Sequence, residues 1–263
     1  MAMFENKVAL VTGSGRGIGA TIARHFASLG ADVVVNYFRN PQPAHETAEG
    51  IRQLGRQALL VKANMGEVED IERLFDAIEA EFHGLDFYIH NAASGYNRPA
   101  MQQRVKGWDW TMNINARSLL FAAQRAAPLM IKRGGGAIVA ISSPGAGRVL
   151  PDYVVVGASK AAIEAVTRYL AVELAPDNIV VNAVSPGMVL TEALQHFEMV
   201  RTDVHLADKA IKITPAGRLV QPQDIAEVVA FLCSPSASMI RGQVITVDGG
   251  AALLAPGLEN PSP

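Results

Sequence analysis

Cysteine, charged residues and long apolar runs are all scarce in this chain of 263 residues. Cys233 is the single cysteine, which excludes an intramolecular disulfide framework and is typical of a reducing compartment. Charged residues make up 18% of the chain and the formal net charge is −2, so neither nucleic acid nor an anionic membrane surface is expected as a partner. The six histidines lack the spacing of metal ligands, so no metal is predicted.

Targeting and membrane signals are also missing from the pattern. The first residues carry no basic stretch before an apolar core, and glycines interrupt the apolar runs before they reach the length of a membrane span. Apolar residues make up 49% of the chain, enough for a sizeable core. We therefore expect a cytoplasmic protein with one domain over residues 1–255 and a flexible tail over residues 256–263.

A glycine-rich turn lies between the first predicted strand, residues 7–12, and a helical pattern that ends at Leu29. Glycines let a backbone approach a pyrophosphate closely, and the first N–H groups of the following helix point at such an anion. The order of strand, glycine turn and helix predicts a dinucleotide site, with an ordinary glycine turn as the alternative. The predicted cofactor contacts in this turn are Gly13, Ser14, Arg16, Gly17, Ile18 and Gly19.

The end of the second predicted strand, residues 32–36, distinguishes between the two nicotinamide cofactors. An NAD-dependent enzyme of this architecture usually carries Asp or Glu there to bind the adenosine ribose, and this chain has neither. Tyr37 follows the strand, and Arg39 together with Arg16 offers guanidinium groups to a 2′-phosphate. The pattern favours NADPH, with a solvated loop charge as the alternative for Arg39.

Strand and helix patterns alternate along most of the chain, which predicts a doubly wound parallel α/β sheet. Ligands of such sheets bind outside the carboxyl ends of the strands. Asn64 and Asn91 follow the third and fourth predicted strands, so both are expected near the cofactor, with a turn-forming role as the alternative. The later predicted strands are 57–62, 85–90, 137–141, 179–184 and 243–247, and the later predicted helices are 43–54, 68–82, 108–131 and 221–232.

A lid is predicted over residues 188–214, which follow the strand 179–184. This segment is rich in Leu, Phe and Met and is broken by turn-prone residues. Apolar side chains beyond the carboxyl end of a strand suit a surface that covers an acyl chain.

The most informative stretch follows the predicted strand 137–141 and contains Ser143, Tyr153 and Lys160. A tyrosine and a lysine seven residues apart in a helix share one face and are separated by roughly 10 Å along its axis. A phenol and an ammonium on one face, beside a strand-end hydroxyl, suit proton delivery to a substrate oxygen, whereas the alternative is an ordinary helix surface. Asn115 lies inside the predicted helix 108–131 and is expected to bond within the core or to hold a water near the site.

These motifs follow one another between residues 5 and 252 in the order found in the short-chain dehydrogenase/reductase family, and together they resemble that family. The resemblance rests on Thr12-Gly13-x-x-x-Gly17-x-Gly19, Asn91-Ala92-Ala93, Asn115, Ser142-Ser143, Ala158-Ser159-Lys160 and Pro186-Gly187-x-x-x-Thr191. It implies a Rossmann domain whose cofactor contacts include Lys160, Pro186, Gly187 and Thr191. It also implies hydride transfer assisted by Ser, Tyr and Lys, an Asn that supports a water relay, and a homotetramer. Ser143, Lys160 and Asn115 stand at the family's positions.

One position departs from the family pattern. The usual Tyr-x-x-x-Lys would place a tyrosine at position 156, where this chain has Val156, and the nearest phenol is Tyr153. The Tyr-x6-Lys spacing resembles the enoyl-acyl-carrier-protein reductases, and the ordinary glycine loop with a neutral second strand end resembles their NADPH-dependent L-type group. That resemblance implies reduction of an enoyl thioester, carried by acyl carrier protein or coenzyme A, in fatty-acid synthesis.

The longer spacing also has a chemical rationale. An enoyl reductase delivers hydride to Cβ, three bonds from the oxygen that develops charge, whereas a carbonyl reductase delivers it to the carbon that bears the oxygen. Three residues shift the phenol by roughly 4.5 Å along a helix and by about 60° around it. In this assignment Tyr153 stabilises the enolate, and Lys160 binds the nicotinamide ribose and lowers the pKa of the phenol. A carbonyl or alcohol oxidoreductase and a non-catalytic NADP-binding protein are the alternatives.

Overall fold

Seven parallel strands form one sheet within residues 2–189 and 206–254, the part of the chain that this computed structural model describes. The strand order is β3-β2-β1-β4-β5-β6-β7, and every pairing is parallel. The strands are β1 Val8–Val11, β2 Asp32–Tyr37, β3 Ala58–Lys62, β4 Phe87–His90, β5 Gly136–Ile141, β6 Ile179–Pro186 and β7 Val244–Val247. The predicted doubly wound α/β fold is therefore confirmed.

Helices cover both faces of the sheet. They are α1 Gly17–Ser28, α2 Pro41–Gln53, α3 Val68–Phe82, α4 Val105–Met112, α5 Ser118–Ile131, α6 Val154–Glu173, α7 Leu206–Lys212 and α8 Pro222–Leu232. A π-helical segment, Asn113–Arg117, joins α4 to α5, so the predicted helix 108–131 begins three residues earlier and contains a wider turn. Within the described part of the chain, no helix is long and apolar enough to cross a membrane.

Two apolar layers hold the helices to the sheet. One layer packs α1, α2 and α8 against the sheet through side chains such as Phe26, Ile51 and Val229. The other packs α3, α5 and α6 through side chains such as Leu74 and Leu119. The central strands β1, β4 and β5 are buried on both faces, and their sequences are continuous apolar runs, which is typical of a parallel sheet.

The order of the strands positions the site. The sequence order reverses between β1 and β4, and ligands of such sheets bind at this switch point, outside the carboxyl ends of the strands. The glycine turn, Asn91 and Ser143 follow β1, β4 and β5, so all three lie at that edge. Most of the predicted lid, residues 188–214, lies outside the described residues, as does the predicted tail, and α7 is the helical part of the lid that is described.

Candidate active site

The glycine loop between β1 and α1 packs too closely for side chains. Gly13 has a φ of 63°, and a Cβ placed on it would lie 2.9 Å from the Cα of Ala92. A Cβ on Gly19 would collide with the side-chain amide of Asn91 and would lie 2.6 Å from the Gly13 carbonyl oxygen. Gly17, the first residue of α1, has a φ of 56°, in the left-handed region that favours glycine. The turn therefore needs glycine at these positions.

The N-terminus of α1 offers backbone donors to an anion. Arg16 is its N-cap residue, and among the described residues no side chain caps the helix. The first N–H groups of a helix lack partners within it and lie at the positive end of its dipole. This arrangement fits the pyrophosphate of a dinucleotide. Ser14 contributes to the shape of the loop, because its buried hydroxyl donates to the carbonyl of Val11 at 2.6 Å, whereas cofactor contacts at Arg16 and Ile18 stay predictions.

Asn36 on β2 ties the glycine loop to the sheet. Its Oδ1 accepts a hydrogen bond from the Gly13 amide at 3.1 Å, and its Nδ2 donates to the Ala63 carbonyl at 3.1 Å. Only 2% of the residue is exposed. Tyr37 ends β2 and packs, partly buried, against the layer formed with α1 and α2. The side chain of Asn36 therefore has a structural role in the loop.

Arg39 lies on the surface after β2. Its Cζ lies 5.8 Å from the centroid of the Phe38 ring. Among the described residues no carboxylate lies within ion-pair distance of its guanidinium. An exposed guanidinium without an acidic partner, at the edge where the cofactor is expected, fits a phosphate group.

The two strand-end asparagines have different environments. Asn64 shapes a turn: its Oδ1 accepts from the Gly66 amide at 3.0 Å, which matches the turn-forming alternative. Asn91 holds the glycine loop, because its Nδ2 donates to the Thr12 carbonyl at 2.8 Å and to the Gly13 carbonyl at 3.2 Å. Both lie at the predicted edge, and Asn91 acts on the cofactor site through the loop that it positions.

Tyr153 is the N-cap residue of α6 and does not lie on the helix, contrary to our expectation from the spacing. Its carbonyl accepts the first helical hydrogen bond, from the Gly157 amide at 2.7 Å. Its hydroxyl lies 3.4 Å from the Oγ of Ser143, and a Cβ placed on Gly145 would lie 2.6 Å from the tyrosine ring. The ring therefore packs against Gly145, and the structure brings together the predicted phenol and the predicted serine.

Val156 occupies the position at which the family usually has a tyrosine. It is buried, and a Cβ on Gly95 would collide with its Cγ2. The side chain thus fills the space beside the loop that follows β4 and supplies no hydrogen bond. Tyr153 is the phenol that the described structure places beside Ser143.

Lys160 on α6 is buried beside the end of β5. Its Nζ donates to the Ile141 carbonyl at 2.6 Å, at the end of β5, and 6% of the residue is exposed. Burial lowers the pKa of Lys160 from 10.5 to about 8. The ammonium therefore stays mostly charged at neutral pH and loses its proton in mild alkali.

Burial raises the pKa of the Tyr153 phenol, and the hydrogen bond with Ser143 lowers it by a smaller amount. The net direction is upward, and a lowering of this pKa by Lys160 stays a prediction. The phenol remains protonated at neutral pH and acts as a hydrogen-bond donor.

Asn115 lies in the π-helical segment, and its side chain is fully engaged within the protein. Its Oδ1 accepts from the Ser94 amide at 2.8 Å, and its Nδ2 donates to the Ser94 carbonyl and to the Oγ of Ser159, both at 2.9 Å. These bonds join the loop after β4 to α6, one residue before Lys160. The first of the two expected roles, bonding within the core, is the one observed, and a water relay at Asn115 stays a prediction.

His90 bonds the backbone of Asn115 from the end of β4. Its Nε2 lies 2.7 Å from the Asn115 carbonyl oxygen, and its Nδ1 lies 2.7 Å from the hydroxyl of Tyr88. A carbonyl oxygen accepts only, so Nε2 carries the hydrogen and Nδ1 accepts from Tyr88. Burial lowers the pKa of His90 to about 4, and the positive charge of Lys160 acts in the same direction. The ring is therefore neutral at neutral pH.

Pro186 and Gly187 lie at the carboxyl end of β6, at the same edge of the sheet as the glycine loop. Pro186 is buried at the end of the strand, and the Gly187 amide donates to the Val247 carbonyl at 2.8 Å. A Cβ on Gly187 would lie 2.9 Å from the Cα of Asp248, so glycine is needed there for packing. Thr191 lies outside the described residues. Over residues 2–189 and 206–254, no group of three or more His, Cys, Asp or Glu side chains is placed to hold a metal.

Sequence reasoning missed the polar residues that hold the predicted ones in place. Tyr88, His90 and Ser94 carry no motif of their own, and their patterns predict only strand and loop positions. Ser159 stands in the Ala158-Ser159-Lys160 motif, but no role was predicted for it. The one available signal was a histidine at the end of an otherwise apolar strand, because a buried polar side chain needs a partner.

A family model described as enoyl-(acyl carrier protein) reductase matches residues 13–252. The 1-cyclohexenylcarbonyl-CoA reductase of Streptomyces collinus is 37% identical over 252 residues, which cover 96% of this chain and 89% of the relative. The hydroxynaphthalene reductase-like protein Arp2 of Metarhizium robertsii is 38% identical over 258 residues, which cover 93% and 94%.

Solved structures agree with these relatives. A 7α-hydroxysteroid dehydrogenase complexed with NADH and 7-oxo glycochenodeoxycholic acid matches with a TM-score of 0.89 and 35% identity over 95% of both chains. The L-sorbose reductase of Gluconobacter frateurii, complexed with NADPH and L-sorbose, matches with a TM-score of 0.90 and 30% identity over 97% of this chain and 100% of that one. With matches of this identity along nearly its whole length, the chain belongs to the short-chain dehydrogenase/reductase family of oxidoreductases.

Proposed function

We propose that this protein is an NADPH-dependent enoyl-thioester reductase. The observation that carries the proposal is the position of Tyr153, whose hydroxyl lies 3.4 Å from the Oγ of Ser143 although the residue precedes α6. Val156, at the family's usual tyrosine position, is buried and has no proton to donate. A phenol that reaches the same serine from a different backbone position suits an oxygen three bonds from the carbon that is reduced.

The residues of the site have separate roles in this reaction. NADPH, when bound, supplies the hydride that is added to Cβ. Tyr153 donates its O–H to the thioester oxygen and stabilises the charge of the enolate, an interaction worth about 3–4 kcal/mol in a preorganised site. Lys160 keeps a positive charge in the same pocket, and Ser143 orients the phenol or the substrate. The enolate then takes a proton at Cα, which completes the reduction of the C=C bond.

Arg39 and Arg16 support the choice of NADPH. Both guanidinium groups lie at the surface near the glycine loop and the end of β2, where a 2′-phosphate is expected. The L-sorbose reductase structure holds NADPH and the 7α-hydroxysteroid dehydrogenase structure holds NADH, so the family uses both cofactors. The preference proposed for this chain therefore rests on its own two arginines.

The relatives support a reductase of conjugated thioesters. The name 1-cyclohexenylcarbonyl-CoA describes a thioester whose C=C bond adjoins the carbonyl, which is the substrate class proposed for this protein. The family model carries the name of an enoyl reductase. We propose the same class, with the acyl group on acyl carrier protein or coenzyme A, in fatty-acid synthesis in the cytoplasm.

A carbonyl reductase is the second candidate, and the similarity to a hydroxynaphthalene reductase-like protein favours it. Oxidation of NADPH by the purified protein with crotonyl-CoA, acetoacetyl-CoA and a simple ketone separates the two. We expect crotonyl-CoA to be the preferred substrate by at least about tenfold in kcat/KM, equivalent to about 1.4 kcal/mol. Preference for either ketone would instead support the carbonyl reductase, and NADPH binding with no turnover of any of them would support a non-catalytic protein.

The resemblance to the family also leads us to propose a homotetramer. The mass of one chain is 28.0 kDa, so light scattering of the purified protein should give about four times this value. A mass equal to that of one chain would contradict the proposal without affecting the proposed chemistry.

A further inference from the structure

Trp110 on α4 contacts the loop after β2, and none of the roles described above includes it. The Cζ of Arg39 lies 5.4 Å from the centroid of the Trp110 ring and 5.8 Å from that of Phe38. One guanidinium therefore lies over two aromatic rings. This distance is within the range of cation–π attraction, which is strongest for tryptophan.

The indole is itself anchored to the floor of the active site. Its Nε1 donates to the Oγ of Ser94 at 2.9 Å. Ser94 exchanges two backbone hydrogen bonds with the side chain of Asn115, which also bonds Ser159 beside Lys160. The ring that contacts Arg39 is thus fixed to the same network that positions the catalytic helix.

We propose that Trp110 determines cofactor specificity by holding the guanidinium of Arg39 for the 2′-phosphate of NADPH. The N–H donors of a guanidinium project from its edge, so a cation held beside an aromatic ring keeps donors available to a phosphate. Arg39 also loses less side-chain freedom on binding when it is already held, which raises affinity. This inference rests on the proposed use of NADPH and adds the residue that makes Arg39 effective.

Trp108 provides a matched control on the same helix. It lies two residues before Trp110, is 41% exposed, and contacts no cation among the described residues. Residues two apart in a helix point in different directions, because each residue turns the chain by about 100°. Trp108→Leu therefore removes the same type of side chain as Trp110→Leu but leaves the contact with Arg39 intact.

The test is calorimetric binding of 2′,5′-ADP and 5′-AMP to the full-length protein and its variants. Trp110→Leu should weaken 2′,5′-ADP about three- to tenfold and leave 5′-AMP unchanged, because only the former carries the 2′-phosphate. Trp110→Phe keeps a ring face and should retain most of the preference, and Trp108→Leu should bind both ligands like the wild type. Trp110→Leu should lose nothing further in an Arg39→Ala background, since the two residues act as one unit.

The outcomes separate this inference from the proposed function. Wild-type protein that binds 2′,5′-ADP no more tightly than 5′-AMP would contradict the use of NADPH itself. A wild-type preference that survives in Trp110→Leu would overturn only the role of Trp110. Equal weakening of both ligands in Trp110→Leu, a Phe variant as damaged as the Leu variant, or additive losses with Arg39→Ala would each overturn it as well.

Discussion

At the residue scale, the site contains one group that donates a proton and another that carries a charge. Burial raises the pKa of Tyr153 and lowers that of Lys160 to about 8. At neutral pH the phenol is therefore an intact O–H donor and the lysine a cation. The two groups respond to different experiments, since only the lysine titrates near physiological pH.

Removal of the Tyr153 hydroxyl tests the donor. Tyr153→Phe should lower kcat on crotonyl-CoA by roughly 10²–10³, because the donor to the enolate oxygen is lost, while the dissociation constant of NADPH stays within about twofold. Tyr96→Phe is the matched control: the Tyr96 hydroxyl is buried and has no hydrogen-bond partner among the described residues. Full activity of Tyr153→Phe, combined with loss of activity in Tyr96→Phe, would show that the wrong phenol has been assigned.

From the lowered pKa of Lys160 we expect kcat/KM for NADPH to decrease at alkaline pH. A lysine with a lowered pKa is charged below that pKa and neutral above it, so kcat/KM for NADPH should fall as the pH rises through about 8. The residual activity of Tyr153→Phe should show the same decrease, because Tyr153, with its raised pKa, does not titrate in this range. A profile that is flat to pH 10 would mean that Lys160 keeps its ordinary pKa in the free enzyme.

At the element scale, the site depends on two helix irregularities. Tyr153 precedes α6, and Asn115 lies in a π-helical segment between α4 and α5. A π-turn holds an extra residue and often marks a functional site. Here it allows the side chain of Asn115 to bond Ser94 on one side and Ser159 on the other.

Strands and long helices were predictable because burial on both faces produces continuous apolar runs and helices produce regular periods. The second strand, for example, was predicted over residues 32–36 and extends over Asp32–Tyr37. The N-cap position of Tyr153 was not predictable, because tyrosine is not among the residues that typically cap helices. The π-turn was missed since one extra residue barely changes an apolar pattern. The bonds of Asn36 to the glycine loop were missed because its partners are far away in sequence.

The burial of His90 at the end of β4 predicts acid sensitivity. His90 has a pKa of about 4 in the folded protein, against 6.5 ordinarily, so between these values the unfolded chain binds more protons. The free energy of unfolding should therefore be fully retained above pH 6.5 and should decrease as the pH falls towards 4. The loss attributable to His90 is at most about 3–4 kcal/mol, from 1.36 kcal/mol per pKa unit over a shift from 6.5 to about 4.

Urea denaturation at several pH values measures this contribution. His90→Gln retains an amide donor for the Asn115 carbonyl but does not titrate, so its stability should change less between pH 6.5 and 4 than that of the wild type. Parallel slopes for the two proteins in this range would show that other groups cause the acid sensitivity.

At the scale of the whole molecule, the site joins the two halves of the sheet. The glycine loop, Arg39, Asn64 and Asn91 follow β1 to β4, whereas Ser143, Lys160 and Gly187 follow or flank β5 and β6. A dinucleotide bound along this edge contacts both halves at once, which makes cofactor binding a property of the fold and not of one loop.

Binding across both halves should stabilise the folded chain as a unit. NADPH at 100 times its dissociation constant should add about 2.7 kcal/mol to the free energy of unfolding and raise Tm by about 5–10 °C for a chain of this size. Differential scanning fluorimetry measures the shift, and NADH at the same concentration should give a smaller one. Gly13→Ala tests whether the stabilisation comes from NADPH bound at the glycine loop. The alanine Cβ would lie 2.9 Å from the Ala92 Cα, at a φ of 63°. This variant should bind NADPH weakly and show little shift, and an undiminished shift would place the cofactor away from the glycine loop.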